Sequence, residues 1–225
     1  LDCAELCLQI GQYEKALGSY LEASEMFGPD PELVVYMSEC LIKLGRYKEA
    51  KLRLQKAAIN DPYNEEVFYY LGECHLQEGN FNKAIKCYLN AIDLDDCREE
   101  FHASIARAYD MKGLIKKAEI HFKHAARCGQ EQSQYWTMLI TFLLRQKEFA
   151  KAEKFLERAD KYSFGADLLY CKSAFYFLSD QREFAFECLE EALNENAPMS
   201  SMLLDMVPSF QQDKDVQSMI RYFSL

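Results

Sequence analysis

The chain has 225 residues, long enough for a sizeable core, and 36 acidic against 26 basic residues give it a formal net charge of −10 at pH 7. With 49% hydrophobic and 28% charged residues but only nine glycines and five prolines, it reads as a folded chain with short loops, neither disordered nor fibrous. The acidic balance argues against nucleic-acid binding, which runs on a surplus of lysine and arginine. No apolar run approaches the ~20 residues that span a bilayer; the best, Met138 to Leu144, is broken by Thr141. The first residues carry no basic-then-apolar leader. Nine cysteines, an odd number without a CxxC pair, fit reduced thiols used as small apolar residues and not a disulfide framework. A cytoplasmic chain without membrane insertion is expected.

From the N-terminus onward the dominant signal is a regular repeat. Alanine recurs with a constant step at 16, 50, 84, 118 and 152, and a second series, Ala23, Ala57, Ala91, Ala125 and Ala159, runs seven residues behind it. Gly11, Gly45, Gly79 and Gly113 keep the same step until Lys147 ends it, and two residues beyond stand Tyr13, Tyr47, Phe81, Ile115 and Phe149. Within the period 31–64, Val34, Met37 and Leu41, then Tyr47, Ala50, Leu54 and Ala57, follow helical spacing on either side of Gly45. A glycine there allows the positive backbone angle that ends a helix. Each period therefore predicts a helical hairpin. Ser38, Gly72 and Ala106 are expected to face the Ala50, Ala84 and Ala118 series, so that the paired helices approach closely, and Pro62 closes one repeat.

In chain order the units fall at about 1–30, 31–64, 65–98, 99–132, 133–166 and 167–198, with an atypical seventh unit and a capping helix in 199–225. In the sixth, Ala185 and Ala192 follow Ala152 and Ala159 one position short of the common step, which places the loss of one residue in its turn, around Ser179 to Arg182. Pro198 and Pro208 bracket a short helix, Met199 to Val207. A last amphipathic helix then carries Val216, Met219, Ile220 and Phe223 on its apolar face, with Asp213 or Asp215 as its cap. Terminal units of a repeat stack are expected to deviate. Leu1 falls four residues inside a repeat and no initiating Met precedes it, so the chain is expected to be a piece of a longer protein.

The stretch Phe68, Leu71, Gly72, Gly79, Phe81, Ala84, Tyr88 and Ala91 resembles, nearly position for position, the tetratricopeptide repeat, a helix–turn–helix unit whose length of about 34 residues matches the step seen here. Trp136, Leu139, Phe149, Ala152, Leu156 and Ala159 give a second, weaker copy. The resemblance implies an all-α, right-handed superhelical solenoid of antiparallel helix pairs. Its concave wall, lined by the first helix of each unit, would hold an extended peptide or a partner helix. On that wall it places Glu32, Glu66 and Glu100, then Glu5, Glu39 and Glu73, with Tyr36, Tyr69 and Tyr70 among them. Further along come Arg107, Asp110, Thr137, Thr141 and Arg145, then an apolar stretch of Leu168, Cys171 and Phe175.

The expected partner-binding set is Glu32, Tyr36, Glu39, Glu66, Tyr69, Tyr70, Glu73, Glu100, Arg107, Asp110 and Thr141, an acidic groove with tyrosine platforms for a basic or mixed peptide. Exposed ion pairs contribute only ~0.2–1 kcal/mol each, whereas micromolar affinity needs about 8 kcal/mol. Glutamates would select a partner and tyrosines would anchor it. The plainer alternative is that the glutamates are solvated and the tyrosines pack between repeats. The clamp for chaperone C-terminal carboxylates needs lysines, asparagines and an arginine where glutamates and tyrosines stand here.

His121, His124 and Cys128 share one helical face at zinc-like spacing. The histidines nevertheless hold outward positions beside Lys123 and Arg127, the cysteine a usually inward one, and no fourth ligand follows. No metal and no cofactor are expected, and His75 and His102 fill packing positions. There is no Gly-rich phosphate loop, GxSxG elbow or HExxH, and neighbouring acids such as Glu65 and Glu66, Glu99 and Glu100, or Glu190 and Glu191 diverge on a helix. The expected function is a non-enzymatic protein–protein interaction scaffold. A regulatory or spacer domain of a longer multi-repeat protein stays open. So does self-assembly through the first repeat, where Leu1, Cys7 and Leu8 would lack an upstream neighbour.

Overall fold

The computed structural model describes residues 2–28 and 30–223, so the expectation placed on Leu1 lies outside the described residues. All regular elements among them are helical. They are α1 (Asp2–Gln9), α2 (Tyr13–Phe27), α3 (Pro31–Lys43), α4 (Tyr47–Asn60), α5 (Glu65–Gln77), α6 (Phe81–Leu94), α7 (Glu99–Met111) and α8 (Ile115–Cys128). They continue with α9 (Ser133–Arg145), α10 (Phe149–Ala159), α11 (Ala166–Leu178), α12 (Arg182–Asn196), α13 (Ser200–Met206) and α14 (Lys214–Phe223), with short 3-10 turns on either side of α13. The chain divides into two compact units, residues 1–118 and 119–225.

Local chemistry closes the hairpins. Three residues join α1 to α2, α3 to α4, α5 to α6, α7 to α8, α9 to α10 and α11 to α12. The middle residue of each turn has positive φ: Gly11, Gly45, Gly79 and Gly113 lie at 73–77°, Lys147 at 59° and Asp180 at 61°. The next residue returns its N–H to the carbonyl five positions back, as Arg46 does to Leu41, Asn80 to His75 and Leu114 to Tyr109, each at 2.8 Å. This Schellman arrangement satisfies carbonyls that the helix end would otherwise leave unpaired.

The turn geometry corrects the placing of the lost residue. Asp180 already follows Lys147 one position short of the common step, and the start of α11 follows that of α9 with the same shortfall. The shortening therefore precedes α11 and does not fall in the turn at 179–181. It lies at the end of α10, which has 11 residues where α4, α6 and α8 have 14, and in the following link, which passes through Gly165 at φ 152°. A three-residue turn with a fixed hydrogen-bond pattern cannot lose a residue, whereas an irregular link can.

In unit 1 the side chains of Ala16, Ala50 and Ala84 are completely buried, and α5 packs against α6 and touches both α3 and α7. Asp30 caps α3 by accepting the Glu32 N–H at 2.9 Å, with Pro31 opening the helix, and Asn64 caps α5 by accepting the Val67 N–H at 3.1 Å. A Cβ on Gly72 would collide with the Tyr88 ring, so the close approach of α5 to α6 is made over Tyr88. Cys7 and Leu8 are partly buried against the unit 1 core that follows them in the chain.

In unit 2 the core centres on Trp136, Leu139 and Phe142 of α9, and the Trp136 indole N–H donates to the Gln130 carbonyl at 2.8 Å. The short helix α13 lies against α11 and α9. Of the two candidate caps for α14, Asp213 is the one used: its carboxylate accepts the N–H groups of Asp215 and Val216 at 3.1 and 3.2 Å. Arg182, at the start of α12, bonds Asp213 at 2.8 Å and Asp215 at 3.1 Å and so ties the last helix down.

Candidate functional site

Helices α3, α5 and α7 of unit 1 carry most of the expected site, and the tyrosines are its framework. Tyr36 stacks on Tyr20 of α2, with ring centroids 5.4 Å apart. Tyr69 meets Tyr70 at 5.0 Å, Phe101 at 5.1 Å and Tyr88 at 6.1 Å. Tyr88 donates its hydroxyl to Glu73 Oε1 at 2.6 Å, and the Tyr70 hydroxyl is held neutral by burial first and then by the nearby Glu39 carboxylate. These rings therefore pack between hairpins and also face the acidic wall.

The electrostatics show that the acids converge. Burial pushes Tyr69 up to about 12, and Glu73 adds to it. Burial likewise raises Tyr20 to about 12, helped by Cys40 and Glu5. Tyr36 is raised by burial and then by four carboxylates, Glu5, Glu32, Glu66 and Glu39. The Glu100 carboxyl is also raised. Burial is the main cause; Arg98 opposes it, and Glu99, Glu66 and Glu39 reinforce it. The phenols thus stay neutral and the carboxylates carry the charge of the wall.

Two arginines offset some of that charge. Arg107, on the expected wall, bonds Glu73 Oε1 and Ser104 Oγ, both at 3.2 Å. Arg98, which sequence reasoning missed, bonds Glu66 at 2.8 Å, approaches Glu100 at 3.9 Å and lies over the Phe101 ring. It sits in the link before α7, where no helical register marks a face. Glu66 and Glu73 are thereby engaged within the protein. Glu5, Glu32 and Glu39 have no cationic partner among the described residues. Asp110 is half-buried near the end of α7.

Thr141 belongs to unit 2 and lies on no open wall. Its hydroxyl is 3.3 Å from the Met206 sulfur, and Cys171 is 3.8 Å from the same atom. Leu168 and Phe175 are buried as well. The apolar wall expected from these residues is covered by α13, because burying such a surface beneath the chain's own next helix removes it from water.

His102 is buried with Nε2 3.1 Å from the Asp96 carbonyl, and His75 is half-buried with Nδ1 3.6 Å from Glu78. Cys128, expected to point inward, is exposed, because it is the last residue of α8. Among the described residues no group of three His, Cys, Asp or Glu side chains could hold a metal ion. No helix among them is long and apolar enough to cross a membrane.

Residues 41–103, which run from the end of α3 into α7, match the family model of the tetratricopeptide repeat. No curated protein matches the chain. Solved structures do. A tetratricopeptide repeat protein from Parabacteroides merdae superposes with a TM-score of 0.66 at 16% identity over 91% of this chain and 81% of its own. Pseudomonas aeruginosa pilF gives 0.70 at 15% identity over 96% and 94% of the two chains. YrrB, described as a TPR protein with an unusual peptide-binding site, gives 0.57 at 15% identity over 92% and 98%. At these identities the structures show the shared fold. The chain thus holds a stretch, residues 41–103, that matches the tetratricopeptide repeat, and it shares with these structures an all-α fold built of antiparallel helix hairpins.

Proposed function

We propose that the chain is a non-enzymatic scaffold for protein–protein interaction, and that the α3–α5–α7 wall of unit 1 takes a basic or mixed-charge peptide or partner segment. The observation that carries this reading is the field at Tyr36, where four carboxylates converge while Glu5, Glu32 and Glu39 lack a cationic partner among the described residues. A lysine or arginine of the partner would supply the missing counter-charge. The repeat makes the same point by comparison. Glu73 accepts from Tyr88 and pairs with Arg107, whereas the buried Tyr20 hydroxyl, in the corresponding place beside Glu5, has no hydrogen-bond partner. The rings of Tyr36, Tyr69 and Tyr70 offer the aromatic surface on which interface energy concentrates.

The test is a binding titration of labelled basic, mixed and acidic peptides against the protein and its Glu32→Lys, Glu39→Lys double variant. These two positions are chosen because Glu73 is tied to Tyr88 and Arg107, and its loss would perturb the fold. A basic peptide is expected to bind with a Kd of about 1 μM, near −8 kcal/mol, and to be lost from the double variant. Equal binding to both proteins would remove the site from this wall.

A further inference from the structure

The cations of this acidic chain are unevenly used. Arg46, Arg98, Arg107 and Arg182 each pair with a carboxylate. In unit 2, by contrast, Arg127 and Arg158 have no carboxylate partner among the described residues, and both line one cleft. Its volume is about 240 Å³, and α8 contributes Ile120, Lys123, His124 and Arg127, while α10 contributes Phe155 and Arg158. Trp136 completes the lining, which contains no acid. Lys123 is already engaged with Glu119 at 2.5 Å and lies over the Phe155 ring at 5.6 Å. The Arg158 guanidinium lies over the Trp136 ring at 5.8 Å. A guanidinium stacked on an aromatic face keeps its N–H edge open to an acceptor.

We propose that this cleft is a second ligand site, for an acidic peptide segment that carries one bulky apolar side chain. Carboxylates of the segment accept paired hydrogen bonds from Arg127 and Arg158, and the apolar side chain rests on Ile120 and Phe155. Ile120 is 54% exposed and so offers apolar surface at the mouth. The volume lies below the ~300–1,000 Å³ of pockets that enclose a whole small ligand, which suits one or two side chains of a longer segment. A nucleic acid would present phosphates to the same arginines, but the chain's net charge of −10 opposes a polyanion. The preference for acid is opposite to that of the unit 1 wall, so each site serves as the control for the other.

The test titrates the full chain with a labelled Asp-Glu-Phe-Asp-Glu peptide, followed by anisotropy and by emission of Trp136, the one tryptophan in the chain. Saturable binding with a change in Trp136 emission is expected, weakened as ionic strength rises from about 0.05 to 0.5 M. Arg127→Glu should weaken it at least about tenfold, the equivalent of ~1.4 kcal/mol, while Glu32→Lys with Glu39→Lys leaves it unchanged. Arg127 is exposed and enters no hydrogen bond or ion pair among the described residues, so a urea melt of its variant alongside the titration separates binding from stability; Arg158→Lys, which keeps the charge but loses the planar fork, should weaken binding too. No binding of the acidic peptide, equal binding by Arg127→Glu, or tighter binding of a single-stranded oligonucleotide would each overturn the proposal.

Discussion

Gly72 has no room for a side chain, because the Tyr88 ring occupies the space a Cβ would take and the Tyr88 hydroxyl is held by Glu73. Gly72→Ala is therefore expected to destabilise the chain by roughly 1–3 kcal/mol through overpacking, seen as a lower urea midpoint at unchanged slope. An unshifted midpoint would mean that the ring moves freely. At Lys147 the effect reverses. Its φ of 59° lies where a Cβ costs about 1–2 kcal/mol, so Lys147→Gly should raise the melting temperature. Asp180→Gly should raise it less, since Asp tolerates this region better than Lys. The glycine series was plain in the sequence up to its break at Lys147. Asp180 was hidden because the upstream shortening shifts it by one residue and because an aspartate does not look like a glycine.

The hairpins were legible because their causes are local: helical periodicity, a left-handed turn residue and small residues at fixed steps. The carboxylates and tyrosines of α3, α5 and α7 could be placed by register for the same reason. Which carboxylates are engaged could not, since Arg98 reaches Glu66 from a link and Arg107 reaches Glu73 across helices. The position of α13 was equally hidden: seven residues that pack on α11 and α9 through Met206 leave no periodic mark. That docking can be tested through Cys171, whose thiol burial pushes up to about 12. Met206→Asp should undock α13 and speed alkylation of Cys171 at neutral pH by at least about tenfold, read by mass spectrometry of the labelled peptide. Such a step would match about 1.4 kcal/mol of lost protection. Unchanged protection of Cys171 would show that α13 does not shield it.

For the whole molecule, acid should be destabilising. Glu49 is held below the usual carboxylate range by its hydrogen bond from Arg46, and Glu78 by that from Lys51. For Glu119 and Asp213 burial pushes upward, but Lys123 with Lys151, and Arg182, outweigh it. Groups with depressed folded values contribute stability above their unfolded pKa, near 4, and lose it as pH falls through the folded values. His75, lowered first by burial and then by Lys51, loses stability earlier, as pH falls below its unfolded value of about 6.5. Glu100 runs the other way, because its raised carboxyl is relieved by protonation. The urea midpoint is thus expected to fall modestly from about pH 7 to 5 and steeply below about pH 4; a flat profile would show that these pairs contribute little.

The six closing turns carry a lesson for engineering. Each is three residues long with one left-handed backbone at its centre, so the molecule counts its length in whole hairpins and keeps its slack between them. Nature has already used that slack once, in the link 160–165, where Phe164 stands 93% exposed. A grafted loop or a reporter domain belongs at that seam, where both neighbouring hairpins keep their own closures. The same cargo spliced in at Gly79 would prise apart a helix pair whose joint has no spare residue to give.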